Sequence, residues 1–336
     1  MEPARVAFSI DPGPDPHLAR TRELLRAHPE ARALIGPSAW SALVVVALVA
    51  AQFGLAVALA DASPLWIVAV AWFLGAHLCF GAFTMVHEAS HGIIFRRRAA
   101  NRLIAYVANL PLVVPFAERF IVGHIQHHAH IGEYELDLGM PRVEEAAWVG
   151  GSALRKLLWL FAHPLLFAAR VSYLLRHRPS PPAWLALNIA LQLLASALVL
   201  HLLGGPALAY LALSWFFSAG PHPVAIRLIQ EHVRLRPGQH TNSYYGPWNR
   251  LVFNLGYHNE HHDLPTVAWH RLPALRRLAP ELYEPLAAPA SWLGTWLRFL
   301  TDPTQTLWDR TLRAPPGPSP APALAPRRGG PRLRPE

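Results

Sequence analysis

Four stretches of about twenty residues carry no charged side chain: 39–60, 65–86, 183–203 and 207–224. At about 1.5 Å per residue, a helix as long as the first spans about 33 Å, enough for a hydrocarbon core of roughly 30 Å. Only 15% of the chain is charged, against about 25% in soluble domains. Asp61-Ala62-Ser63-Pro64 punctuates the first pair and Gly204-Gly205-Pro206 the second, so each pair reads as a helical hairpin with almost no loop. The expected architecture is therefore all-α and integral to a membrane, with four transmembrane helices as two hairpins.

The basic residues orient the hairpins. None occurs from 33 to 95 or from 179 to 226; five precede the first pair, eleven lie between the pairs and fourteen follow from Arg227 onward. By the positive-inside rule, both termini and the middle segment face the cytoplasm. The formal charge of +9 comes with 29 Arg among the 30 basic residues, a bias that fits GC-rich coding, and nucleic acid is not an expected partner. Residues 1–38 read as a cytoplasmic lead-in without a cleavable signal, 39–313 as the membrane domain, and 314–336, with eight prolines, as a disordered Pro/Arg-rich tail. Residues 103–116 are apolar but broken by Pro111 and Pro115, which suggests an interfacial or re-entrant segment. Residues 152–177 mix Leu and Phe with Arg155, Lys156, Arg170 and Arg176 and read as amphipathic helices of the cytoplasmic interface. Cys79 is the single cysteine, which excludes an internal disulfide and a thiolate metal cluster.

The chain has 19 histidines. Eight fall into three tight groups: His87 and His91; His124, His127 and His128; and His258, His261 and His262. Residues three or four apart share one helix face, so each group presents its imidazoles in one direction, and all lie on the expected cytoplasmic side. His232, about eight residues past the fourth span, joins them as a ninth candidate. His77, His130, His163, His201, His240 and His270 fit no ligand spacing, and His222, before Pro223, is compatible with a cap. Nine imidazoles are too many for one ion and suit two, with four or five each. Imidazole accepts Fe, Cu, Zn and Ni alike. Chemistry on the unactivated C–H bonds of a lipid calls for a redox-active pair and O2. Glu88, Glu231, Glu260 and Asp263 flank the boxes and could accept the second ring N–H of a ligand histidine.

The pattern resembles the membrane fatty acyl desaturase/hydroxylase superfamily, with its HxxxH, HxxHH and HxxHH boxes. More narrowly it resembles the sphingolipid delta-4 desaturase (dihydroceramide desaturase) family, through SYYGP at 243–247 and FNLGYHNEHHDLP at 253–265. The charged lead-in from Arg22 to Glu30, Asn109-Leu110-Pro111, and His222-Pro223 ahead of Glu231-His232 add to the likeness, which covers roughly residues 16–312. The resemblance implies a non-haem diiron centre, O2 as co-substrate, and a trans double bond made in the long-chain base of a dihydroceramide-like lipid. No HPGG haem signature is present, so the electrons are expected from a separate cytochrome b5-like or ferredoxin-like donor. The expected location is a multi-pass membrane protein with a cytoplasmic active site, in a bacterial inner membrane or a eukaryotic endoplasmic reticulum.

The chain departs from that pattern at three places. Ile226 and Arg227 stand where the family usually has Gly-His, Gly139 replaces the second acid after box two, and Leu264 replaces Phe. Hydroxylation of a fatty acyl, sphingoid or alkane substrate by the same kind of centre is the main alternative. The string His87-Glu88-x-x-His91 also matches a zinc metalloprotease motif with Glu88 as base and Asp137 as a third ligand, which leaves seven other histidines at ligand spacing unexplained. A metal transporter would call for polar residues within the spans, and the first and third have almost none: Gln52 in the first, and Asn188, Gln192 and His201 in the third.

Overall fold

Helix dominates the computed structural model, which describes residues 7–313 apart from 14, 175, 177 and 178. The tail expected at 314–336 lies outside the described residues. Three helical runs are long and apolar enough to cross a membrane: Trp40–Ala58, Pro64–Ser90 and Pro182–Gln230, with mean hydropathies of 2.3, 1.9 and 2.0. Their outer faces are bare hydrocarbon, with Leu65 78%, Phe73 70% and Leu202 69% exposed. Lipid is the solvent in which such a surface is stable. The stretches 183–203 and 207–224 both fall on the third run. Its helix Pro182–Ala219 is interrupted at Gly204, which is non-helical at φ 81° and ψ −177° beside Pro206.

Inside the bundle, the few polar side chains serve backbone groups that a regular helix would have satisfied itself. Residues Ala71–Gly75 form a π-turn within Pro64–Ser90. The Gly75 carbonyl accepts from Gln52 Nε2 at 2.9 Å, and Tyr210 Oη donates to Gln52 Oε1 at 2.7 Å. Glycine is needed there, because a Cβ would lie 2.0 Å from Ser214 Oγ.

The apolar segment 103–116 forms no straight helix. The chain bends by 117° between Arg98–Leu112 and Ala117–Ala129, with Val113 left-handed at φ 54°. Asn109 repairs the break: its Oδ1 accepts from Phe116 N and Ala117 N at 3.1 and 2.9 Å, and its Nδ2 donates to Val114 O at 2.7 Å. Gln192 and Asn188, on the long helix, donate to Leu110 O and Asn109 Oδ1 at 2.9 and 3.2 Å. An irregular backbone at this depth survives only where its polar groups are answered in this way. The bend carries the second histidine box back over the end of Pro64–Ser90.

Residues 152–177 contribute one helix, Ala153–Leu174, and two of its cations point inward. Lys156 is fully buried and donates to Asp302 O at 2.6 Å. Arg170 pairs with Glu145 at 2.5 Å. Leu154 and Leu165 of the same helix are exposed. Two short parallel strands, Ser9–Asp11 and Thr311–Arg313, pair as Ser9↔Thr311, Ile10↔Leu312 and Asp11↔Arg313. They are a small β element in an otherwise helical chain. Around them Phe8, Trp308, Trp292 and Phe299 join a core that extends to Val252 and Leu255, just before the third box.

Candidate metal centre

The four sequence segments that carry the nine candidate histidines converge. His87 lies in the last turn of Pro64–Ser90 and His91 caps it. His124, His127 and His128 occupy the end of Ala117–Ala129, and His258, His261 and His262 lie on His258–Asp263. His232 follows the single turn Arg227–Gln230. One donor set comprises His87, His91, His124, His128 and His261; beside it lie His127, His232 and His262, and His232 with His258 and Glu231, the ligand atoms of each set within 4.8 Å of one another. His128 and His262, one from each side, stack at 4.2 Å. All nine are thus brought together, five on one side and four on the other, with Glu231 as a carboxylate beside the four.

Most of their inward ring nitrogens face one another. Nε2 atoms meet at 2.9 Å for His91–His124 and at 3.1 Å for His124–His128, His128–His261 and His232–His258. His87 Nδ1, His258 Nδ1, His262 Nε2 and Glu231 Oε1 are buried with no hydrogen-bond partner among the described residues. Such groups are costly unless something else binds them. Burial, and after it the neighbouring rings and cations, holds His91, His232, His258, His261 and His262 well below the ordinary imidazole pKa, because a low-dielectric site disfavours the charged form. Neutral imidazoles at this density are a donor set that fits two transition-metal ions.

The acids divide differently from the sequence expectation. Glu88 accepts from Trp269 N at 3.1 Å. Glu260 accepts from Ser243 Oγ and Tyr245 Oη at 2.6 and 2.8 Å, which ties the SYYGP segment to box three. Asp263 takes His17 Nδ1 at 2.7 Å and the Arg20 fork at 2.7 and 2.9 Å. None of these three receives a ring N–H from a candidate ligand. Asp137 does: its Oδ1 lies 2.5 Å from His127 Nδ1. Burial alone would raise the Asp137 pKa, but His127, Arg310 and the Gly132 N–H bring it below the ordinary carboxylate value. This also removes the third ligand from the zinc-protease reading, because His87 and His91 gather with three other histidines instead of with Asp137.

His17 and Arg20 were not legible as site residues. They come from the lead-in helix Pro16–Ala27, 246 and 243 residues from their partner, and no spacing rule links them to it. Among the histidines set aside, His163 Nδ1 donates to Ala219 O at 2.9 Å, and His222 Nδ1 accepts from Val224 N at 3.1 Å, as a cap. Two cavities adjoin the cluster. One of about 90 Å³ is lined by His87, His124, His127, His232 and His258. A second, of about 310 Å³, is mainly apolar, with Phe80, Phe83, Phe116, Phe120, Phe167 and Trp215 in its wall.

Comparison with known proteins gives the same answer as the site. The Fatty acid desaturase family model matches residues 63–294. A rice (Oryza sativa subsp. japonica) protein named sphingolipid delta(4)-desaturase DES1-like is 37% identical over 90% of this chain and 91% of its own. An Arabidopsis thaliana protein of the same name is 34% identical over 89% of each. A Caenorhabditis elegans protein provisionally named sphingolipid delta(4)-desaturase/C4-monooxygenase is 35% identical over 89% of this chain and 83% of its own. With histidine boxes, apolar spans and near-full-length relatives in agreement, the chain belongs to the fatty acid desaturase family of oxidoreductases and, within it, to the sphingolipid delta(4)-desaturases.

Proposed function

We propose that the chain is an O2-dependent desaturase of a dihydroceramide-like lipid, placing a trans double bond in the long-chain base next to its hydroxyl-bearing carbon. The observation that carries the reading is the pair of adjoining donor sets beside an apolar cavity. His87, His91, His124, His128 and His261 would hold one iron, and His127, His232, His258 and His262 the second. Bound as a non-haem pair, iron would supply, with O2, two electrons and two protons, the oxidising power to take two hydrogens from adjacent carbons, with two waters as the other product. The protein's part is positioning and exclusion of water. Asp137 fixes the His127 tautomer, so that Nε2 is left as donor. The ring of Phe120 stacks on His124 at 5.0 Å and closes one side of the site against solvent. The apolar cavity takes the hydrocarbon chain.

The same reading puts four spans in the membrane, with the run Pro182–Gln230 crossing twice about Gly204, and both termini and the histidine cap on the cytoplasmic side. The Arg distribution supports it. The electrons come from a separate cytochrome b5-like or ferredoxin-like protein. A second outcome, hydroxylation of the same carbon, is favoured by one observation, the joint desaturase/C4-monooxygenase name of the Caenorhabditis elegans relative. Lipid mass spectrometry of cells expressing the chain and fed dihydroceramide tests both. A product lighter by two hydrogens supports desaturation, one heavier by an oxygen supports hydroxylation, and unchanged lipid counts against the substrate class.

A further inference from the structure

Five residues border both cavities: Phe120, His163, Phe167, Arg227 and Leu228. Together they form the wall that the smaller, histidine-lined cavity shares with the larger apolar one. His163 is committed to Ala219 O, and Phe120, Phe167 and Leu228 offer only hydrocarbon. Arg227 is different in kind. Its guanidinium lies over Phe83 at 4.4 Å and near Phe80 at 5.7 Å, and its Nη1 donates to Glu231 Oε2 at 2.8 Å. A guanidinium carries five N–H donors, and the bond to Glu231 uses one. Arg119 also lines the larger cavity but not the smaller one, and it donates to Ser172 Oγ at 2.8 Å.

We propose that Arg227 is the polar anchor of the lipid, donating to its hydroxyl and amide oxygens where the two cavities meet while the hydrocarbon occupies the larger one. This rests on the dihydroceramide reading above. A lipid oxygen carried into an apolar channel needs a donor, because a buried oxygen left without a hydrogen-bond partner weakens binding. In a dihydroceramide the carbons to be desaturated adjoin the carbon bearing the hydroxyl. The anchor for those oxygens must therefore stand between the channel and the ligands, and Arg227 lines both. The aromatic rings and Glu231 hold the guanidinium from the side and from behind, so the oxygen-bearing end of the lipid is fixed in register. Such fixing decides which methylene lies beside His87 and His124, since about 1 Å of misplacement is enough to cost a hundredfold in rate. Arg227 is thus a specificity and positioning residue for this chain.

The test is equilibrium binding of labelled dihydroceramide and of octadecane to the purified protein under anaerobic conditions, where no turnover occurs. The intact protein is expected to hold dihydroceramide the more tightly. In R227M the advantage falls by about tenfold or more, the loss of a charge-assisted hydrogen bond, and octadecane binding is unchanged. If R227M loses octadecane binding as well, R227K decides, because it keeps a charge but not the planar fork. The expectation is then full octadecane binding, weaker dihydroceramide binding, and product double bonds spread over neighbouring positions. Unaltered dihydroceramide binding and a single product position in R227K, or an undiminished preference in a folded R227M, would overturn the role of Arg227 alone. No preference in the intact protein would overturn both this inference and the dihydroceramide reading.

Discussion

Asp137 Oδ1 and His127 Nδ1 lie 2.5 Å apart, both side chains buried. Asp137 is itself held by Gly132 N at 2.8 Å and Gly139 N at 2.6 Å, so the carboxylate is fixed before it fixes the ring. Arg310, buried, donates to Gly139 O at 2.5 Å and closes the same loop. An Asp137→Asn variant keeps the shape but replaces an anionic acceptor by an amide that can present its donor to the ring. Acceptors behind a metal-bound histidine are worth about 10–100-fold in affinity. Iron content of the purified variant, measured by elemental analysis after mild dialysis, is expected to fall clearly below that of the parent. Equal iron retention would remove Asp137 from the site.

The two donor sets should fail together in function. His261→Ala takes a ligand from the set of five and His127→Ala from the set of four. Paired-ion chemistry needs both, so each variant is expected to abolish lipid turnover while membrane insertion, read by carbonate extraction, stays intact. Retained activity in either variant would exclude that histidine as a ligand.

The histidine boxes were legible because helical spacing of three and four is local, and so were the apolar stretches. The boxes' convergence was expected from nine imidazoles on one side of the membrane, but the device that produces it was not legible. It depends on the 117° bend held by Asn109, Gln192 and Asn188, whose partners lie some eighty residues apart in sequence. The partners of the flanking acids were less legible than the histidine spacing. Glu88, Glu260 and Asp263 sit inside or next to the boxes, yet they bind backbone, hydroxyls and the lead-in helix. Asp137, ten residues from His127, is the acid that bonds a candidate-ligand ring. Carboxylate roles depend on which loop folds back over the helix end, and spacing alone carries no information about that. The helix that carries the second apolar stretch continues to Ser90, so His87 lies on that same continuous helix.

The lead-in helix is expected to contribute to the stability of the site. Arg20 binds both oxygens of Asp263, a carboxylate with no exposed side-chain surface. Thr21 Oγ1 adds a bond to Asp263 O at 2.7 Å. Removing one partner of a buried pair leaves the other charge unanswered and costs about 3–5 kcal/mol. Arg20→Ala should therefore lower the thermal midpoint of the detergent-solubilised protein by several degrees, with Arg20→Lys in between because a single ammonium cannot match the fork. A midpoint unchanged in Arg20→Ala would mean that helix Pro16–Ala27 docks without this contact.

Gly256 lies two residues before box three, where backbones pass too closely for any side chain. A Cβ there would stand 2.3 Å from Asn249 Oδ1 and 2.8 Å from Tyr244 O. Gly256 O accepts from Tyr244 N at 2.7 Å, and Gly256 N donates to Asn249 Oδ1 at 3.0 Å. Gly256→Ala must therefore push the SYYGP segment away from the strand of chain that enters His258–Asp263. Expected outcomes are reduced iron content and faster limited proteolysis near residues 243–257. Gly54, which has open space around it, is the control, and its replacement by Ala should change neither readout.

Metal removal should loosen the cluster more than it loosens the spans. Without an ion, His87 Nδ1, His258 Nδ1, His262 Nε2 and Glu231 Oε1 remain buried and unpaired, and anything that binds the folded state but not the unfolded one adds stability in proportion to the logarithm of its saturation. Chelation under reducing conditions is thus expected to lower the thermal midpoint. It should also increase amide exchange at residues 117–129 and 258–263, which carry boxes two and three, and leave Trp40–Ala58, which carries no candidate ligand, as protected as before. Restoring ferrous iron should reverse both changes, and zinc should restore protection without restoring lipid oxidation, because it has the ligand preference but not the redox chemistry. Exchange unaffected by chelation would mean that the histidines pack stably on their own and would count against their service as the ligands of two ions.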